Sequence, residues 1–143
     1  MFCRKKTLTH TQVMKITPTY RQIETELSQK IRNFYLEKID FKPQKVTCKL
    51  FDKYVVVVAD NAVAPIESNL WRSGDSNLIE QARDRVNAIL KSELSKLISE
   101  ALEVEILELI SKTAFETNRC IIIAVLSQPP QVRNYRTASS RNK

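Results

Sequence analysis

The chain is short of the residue types from which most catalytic and cofactor sites are built. Its 143 residues include one histidine, His10, and one glycine, Gly74. A histidine so close to the N-terminus cannot complete a triad or a zinc site in the core, and a single glycine cannot form a phosphate-binding loop. We therefore predict no catalytic residue, no cofactor site and no metal site, and we expect that the protein is not an enzyme.

Acidic residues are absent from both ends of the chain. Residues 1–17 and 127–143 hold eight cations and no Asp or Glu, whereas residues 18–126 hold 15 basic and 16 acidic residues, a net charge of −1. Polar, basic sequence without hydrophobic periodicity is typical of disorder. The sequence thus predicts a disordered basic arm over 1–17, a single α+β domain over 18–127 and a disordered basic tail over 128–143.

The basic ends have two interpretations. They can act as solubilising tails, or they can bind the phosphates of a nucleic acid or an anionic membrane surface through salt-sensitive contacts. The second interpretation makes the protein a nucleic-acid-binding module and is the alternative function. The cations that would then contact the anion are Arg133, Arg136, Arg141 and Lys143.

Long hydrophobic runs are also missing, and cysteines are few. No run approaches the ~18 apolar residues of a membrane span. Leu8 stands alone among polar residues after Arg4, so the N-terminus lacks the apolar region of a signal peptide. Cys48 and Cys120 fall in predicted strands, where a thiol behaves as a small hydrophobe. We expect a cytoplasmic protein with reduced thiols.

Three segments have helical patterning. The first begins either with Thr17 as N-cap and Pro18 at the first position, or with a Thr19–Gln22 capping box, and ends near Ile39. A short second helix starts at Ala64, and a long third helix runs from about Asn77 to Ala101. The predicted apolar stripe of the first helix is Ile23, Leu27, Ile31, Phe34 and Tyr35. That of the third is Ile79, Ala82, Val86, Leu90, Leu94, Leu97 and Ala101, widened by Ile89 and Ile98.

Two pairs of segments have strand patterning. Val46, Cys48 and Leu50 alternate with polar residues and predict a half-exposed strand, and the β-branched run from Tyr54 to Ala59 predicts a buried one. A second hairpin is predicted from strands at Val104–Ile110 and Cys120–Leu126, with a turn between. The fold class is α+β, a two-layer domain with one four-stranded sheet and helices on one face. The sequence does not determine the order of the strands within the sheet.

Five segments match the pattern of a known family: Val55–Val58, Ala64–Glu67 with Leu70, Arg83 with Arg85, Leu97–Ile98 and Val104–Ser111. Together they resemble the MpsC-type domain, over roughly residues 19–127. This family is named for a Na+-translocating, membrane-potential-generating system, and the resemblance implies a small accessory protein linked to a membrane cation or inorganic-carbon transport system. Family members often have Thr where Ala64 stands, Asp where Lys112 stands and Arg-Pro near Lys91–Glu93.

The segment between the second strand and the third helix is predicted to hold the functional polar groups. Its Pro65-x-Glu67 step must fold back near the start of the third helix, which brings Glu67 toward Arg83 and Arg85. In the purely structural interpretation, Glu67 caps its own helix and Arg83 forms an ion pair. The functional interpretation is that the loop 61–76, with an exposed Trp71, is a recognition surface.

We therefore expect a non-enzymatic accessory or regulatory protein that acts through protein–protein interaction, cytoplasmic or peripheral to the membrane. Its predicted partner is a protein, with a membrane transporter as the partner that the resemblance implies. A homodimer is a further expectation, because the first helix and the edge of the first strand offer apolar or unpaired surface. A third class of function, a regulator that binds a small molecule, remains an open alternative.

Overall fold

The computed structural model describes residues 17–132. They form three helices and one antiparallel four-stranded sheet, which confirms the α+β class. The elements in chain order are α1 (Tyr20–Ile39), β1 (Lys45–Phe51), β2 (Tyr54–Asp60), α2 (Pro65–Arg72), α3 (Ser76–Leu102), β3 (Ile106–Ala114) and β4 (Arg119–Leu126).

The start of α1 is fixed by the capping box at Thr19. The Thr19 hydroxyl accepts from the Gln22 amide at 3.1 Å, and the Gln22 side chain accepts from the Thr19 amide at 2.9 Å. Of the two predicted starts, Thr19 is therefore the N-cap. All five residues of the predicted stripe are buried, and Asp40 ends the helix in a left-handed conformation with φ 62°.

The sheet has the strand order β1-β2-β4-β3. The two apolar, β-branched strands β2 and β4 pair in the centre, where Val57 lies opposite Ile122. The more polar strands β1 and β3 take the edges. A strand in the centre has neighbours on both sides and less contact with water, so the strands richest in Val and Ile occupy it.

The helices cover one face of the sheet. Alternation along β2 and β4 places seven side chains without solvent exposure on that inner face: Val55, Val57, Ala59, Cys120, Ile122, Ala124 and Leu126. The opposite face holds the intervening residues, such as Val56 and Ile123, which are half-buried or exposed. β2 was predicted to be apolar on both faces and buried; its outward face is only partly covered, because no helix among residues 17–132 packs there.

The predicted stripe of α3 is correct in its second half and wrong in its first. Leu94, Ile98 and Leu102 are buried, whereas Ala82 and Ile89 are exposed, and Arg83 is the buried residue of the first half. The helix has 27 residues and is about 40 Å long, while strands of seven to nine residues span about 24–30 Å. The sheet therefore ends before the helix does.

The second hairpin is shifted from its predicted bounds. β3 begins at Ile106 rather than Val104 and runs to Ala114, so the turn covers only 115–118. Glu103 ends α3 with φ 59°, and its amide donates to Ser99 O at 2.7 Å. Val104 then packs into the core before the strand starts. Asn and Asp are enriched in the left-handed conformation and Glu is not, so the sequence carries no sign of this helix end.

The described structure extends past β4. Pro130 is buried and Val132 packs against the core. Residues 1–16 of the predicted arm (1–17) and residues 133–143 of the predicted tail (128–143), which hold its four cations, lie outside the described residues. Within 17–132, no helix combines the length and apolar character that crossing a bilayer requires.

Candidate interaction surfaces

Glu67 and Arg83 form the ion pair that the Pro-x-Glu step predicted. Pro65 opens α2, and Glu67 at its third position accepts from the Ala64 amide at 3.2 Å and from Arg83 Nη1 at 2.9 Å. The Arg83 side chain is 1% exposed and that of Glu67 is 28% exposed. A buried cation needs such a partner, since desolvation of an unpaired charge is costly. The pair fastens α2 to α3.

A chain of buried polar contacts continues beneath α3. Asn87 donates to the Thr113 hydroxyl at 3.1 Å, and that hydroxyl lies 3.7 Å from the Sγ of Cys120. The same sulfur lies 3.3 Å from the hydroxyl of Tyr35. Burial, reinforced by Cys120, raises the pKa of Tyr35 above its ordinary value. The underside of α3 is thus polar in its first half.

Trp71 is half-buried, in contrast to the expected exposed side chain. Its ring stacks on Phe115 with an interplanar angle of 11° and a centroid distance of 6.0 Å. Its indole N–H donates to Glu80 at 2.9 Å. The indole therefore joins α2 to the turn after β3 and to α3, and most of its surface is unavailable to a partner.

Of the remaining predicted site residues, Arg85 is separate from the others. Its side chain is exposed on α3 and makes no hydrogen bond or ion pair with residues 17–132. Glu67, Trp71 and Arg83 lie on contacts that hold α2 against α3, with Pro65 at the start of α2. The predicted set is therefore brought together except for Arg85.

The first half of α3 carries an exposed apolar row, and the sequence analysis assigned three of its members, Ala82, Val86 and Ile89, to the core. Leu78 is 64% and Ile89 is 71% exposed, and Val86 is also exposed. With Ala82 these residues lie within about 80° of one another at 100° per residue, and the centre of the row is about 100° around the helix from Arg83. We call Leu78, Ala82, Val86 and Ile89 the α3 row. On the same side, the second half of α3 carries Glu93, Lys96 and Glu100.

A groove of about 650 Å³ runs between α1 and the second half of α3. Charged side chains dominate its lining, and two of them, Lys38 and Glu93, form an ion pair at 2.7 Å across it. Apolar surface is limited to Phe34, Leu97 and Ala101. Ligand sites are usually apolar with a few convergent polar groups, so this groove is not a well-formed pocket for a small regulator.

Helix α1 shields the edge of β1, where a homodimer contact was expected. The Glu24 carboxylate accepts from the Leu50 amide at 2.8 Å, and Arg32 donates to the carbonyls of Pro43 and Gln44 at 3.0 Å each. Side chains that hydrogen-bond to the free N–H and C=O groups of an edge strand hinder the pairing of that strand with another chain. The apolar stripe of α1 is buried too, so neither expected dimer surface is free.

The described thiols are unsuited to nucleophilic chemistry. Cys48 and Cys120 are free and buried. Burial, with a smaller contribution from the Glu24 carboxylate, raises the pKa of Cys48 to about 12. A thiolate is the reactive species, so this thiol is inert at neutral pH. Within residues 17–132, no three His, Cys, Asp or Glu side chains lie grouped as metal ligands.

Comparison with known families gives one match. A family model described as "MpsC: Na+-translocating membrane potential-generating system (MpsC)" matches residues 19–128, which include every helix and strand of the sheet domain. Comparisons with curated proteins and with solved structures found no significant match.

Proposed function

The chain belongs to the MpsC family, and we propose that it is a non-enzymatic accessory protein that binds a protein component of a Na+-translocating, membrane-potential-generating system. The observation that carries the proposal is the α3 row. The family description supplies the system, and the row supplies a surface by which a partner would be held.

The α3 row has the properties of a helix-binding surface. Its members recur at four, four and three residues, which is the spacing of one face of a helix that packs on another. Isolated apolar residues on a surface need no explanation, but an exposed row with large aliphatic side chains is typical of a contact with another protein. The charged continuation at Glu93 and Lys96 gives the surface a polar border.

The polar interior supports a structural rather than a catalytic role. Arg83 is committed to Glu67 and to the Ala62 carbonyl, which its Nη2 approaches at 3.4 Å. Burial raises the pKa of Tyr35 and of Cys48, so neither supplies a base or a nucleophile near neutral pH. These groups position α3, and the chain acts through its surface.

The test is copurification of the full chain with co-expressed subunits of the Na+-translocating system, after extraction with mild detergent. The wild-type chain should be retained by the subunits. Ile89→Lys should lower the retained fraction at least tenfold, because a charge would be buried without a partner. Ile123→Lys on the sheet, a matched control that introduces the same side chain elsewhere, should be retained as the wild type is.

Two results would reject the proposal. One is a wild-type chain that the subunits do not retain, and the other is retention that Ile89→Lys leaves unchanged. Binding of the wild type to protein-free lipid vesicles of anionic composition, lost in Ile89→Lys, would reject it as well, since the α3 row would then contact lipid rather than protein.

A further inference from the structure

The outward face of the sheet is a second exposed apolar surface, separate from the α3 row. Its side chains come from all four strands and alternate with the core residues. Ile110 is 53% exposed, and Ile121 and Ile123 are 38% exposed each. We call the following residues the open face: Phe51, Tyr54, Val56, Val58, Ile110, Ile121, Ile123 and Val125.

The register aligns these residues into continuous rows. Val58 lies opposite Ile121, and Val56 lies opposite Ile123, which in turn lies opposite Ile110. At one end Phe51 is paired with Tyr54, with ring centroids 5.6 Å apart. Such rows form one flat apolar patch, as the inner face of a β-sandwich does.

Charged residues border the open face in a self-complementary arrangement. Beyond the Val58 row, Asp60 on β2 and Arg119 on β4 form an ion pair at 2.9 Å. At the two edges, Lys49 on β1 lies level with Val56, and Glu108 on β3 lies level with Val125, one row away. Lys112, the other charged residue of β3 on this face, forms an ion pair with Asp84 of α3 at 3.3 Å. Opposite charges thus stand on strands placed symmetrically about the middle of the sheet.

We infer that the open face binds the open face of a second copy of this chain, about a two-fold axis parallel to the strands. That axis places β2 over β4 and β1 over β3. Asp60 of each copy then faces Arg119 of the other, and Lys49 of each lies one row from Glu108 of the other. An axis across the strands would instead place β1 over β1, with Lys49 beside Lys49.

The size of the face fits a weak dimer. Four strands at about 4.8 Å and seven residues at about 3.4 Å give roughly 19 by 24 Å per copy. The two faces together cover roughly 900 Å², which is below the ~1,200 Å² at which specific, stable interfaces begin and in the range of weak ones. We therefore expect association in the micromolar range, with the apolar rows in the centre and the ion pairs at the border.

The first experiment is sedimentation equilibrium of the full chain. The wild type should form a dimer at micromolar concentration. Ile123→Lys should weaken the dimer at least tenfold, whereas the matched control Ile89→Lys should not change it. Circular dichroism melting checks that both variants fold. A wild type that stays monomeric, or a dimer weakened by Ile89→Lys and not by Ile123→Lys, overturns the inference.

A charge exchange tests the axis and does not depend on the folding of Ile123→Lys. Lys49 and Glu108 lie on opposite edges, about 14 Å apart at three strand spacings, so they cannot pair within one chain. Lys49→Glu and Glu108→Lys should each weaken the dimer about fivefold. An equimolar mixture of the two variants should restore it, because every contact in the mixed dimer is between opposite charges.

The outcomes of the mixture are decisive. Recovery of wild-type affinity supports the two-fold axis, and a mixture as weak as its components overturns it. A chain lacking residues 1–16 tests whether the N-terminal segment, and not a second copy, covers the open face. If the wild type is monomeric and this truncated chain dimerises through Ile123, the N-terminal segment covers the open face, and the inference fails.

Discussion

The two halves of α3 contact the rest of the molecule in opposite ways. The second half buries Leu94, Ile98 and Leu102 against the sheet, where dispersion and the hydrophobic effect hold it. The first half buries Arg83, which forms an ion pair with Glu67, and exposes the side chains of the α3 row to solvent. Both halves have a similar share of apolar residues, so composition alone does not decide which surface is buried.

The difference shows how one helix can serve the core and a partner. The apolar contacts of the second half of α3 stabilise the domain, but they are not directional and do not fix the orientation of the first half. The ion pair and the Asn87–Thr113 contact are directional, and they hold the first half over the sheet's end while leaving the α3 row exposed. The polar anchor thus keeps apolar side chains available for binding.

Ile98→Ala should give the largest loss of stability. Ile98 has no exposed surface, and removal of buried methyl groups from such a site costs about 2–5 kcal/mol in the free energy of unfolding. The matched variant Ile89→Ala, in the first half of the same helix, should stay within about 0.5 kcal/mol of the wild type. Urea unfolding measures both. Similar losses in the two variants would contradict the division of α3.

Glu67→Ala should come next, with a loss of about 2 kcal/mol, because it leaves Arg83 as a buried cation without its partner. Partial exposure of the Glu67 side chain lets water replace some of the lost interaction, which keeps the cost below that of a fully buried pair. Adding Arg83→Met removes the unpaired charge and should recover most of the loss. A double variant no more stable than Glu67→Ala would show that Arg83 is not the reason for the cost.

The sequence predicted best where an element lies wholly on the sheet. Each residue of the α1 stripe is buried as its spacing predicted, because the whole helix faces β strands. Most of the α3 row and the outward residues of β2 were misassigned to the core for a common reason. Periodicity identifies apolar faces, but it does not give the extent of the surface that covers them.

A signal for the open face was nevertheless present in the sequence. Val55–Val58 and Ile121–Ile123 are apolar at consecutive positions, so each strand is apolar on both faces, while one helical layer can cover only one. Strand order followed a related rule, since the charges of β1 and β3 suit sheet edges. The ion-pair geometry of Arg83 could be predicted only in outline, because it depends on where the sheet ends.

Tyr35→Phe should alter the pH dependence of stability rather than its neutral value. Burial raises the pKa of Tyr35 above that of the unfolded chain, so the folded state retains the proton as pH rises above about 10 and the unfolded state loses it. Stability from this group is fully present below pH ~10 and falls by up to about 1.4 kcal/mol per pH unit above it. Unfolding at several alkaline pH values should show a steeper decline for the wild type than for Tyr35→Phe. Parallel curves would place Tyr35 outside the polar contacts beneath α3.

Ala64→Thr should give the smallest effect and the opposite sign. Ala64 is the N-cap of α2, with extended backbone angles of −65° and 150°, and Glu67 already supplies one half of a capping box. A Thr hydroxyl at this position can accept from the Glu67 amide, and such caps stabilise by about 1 kcal/mol relative to Ala. Since Glu67 also holds Arg83, a firmer α2 should protect the amides of the first half of α3 from hydrogen exchange more than those of the second. Equal protection along α3 would mean that the capped helix and the Arg83 anchor are not coupled.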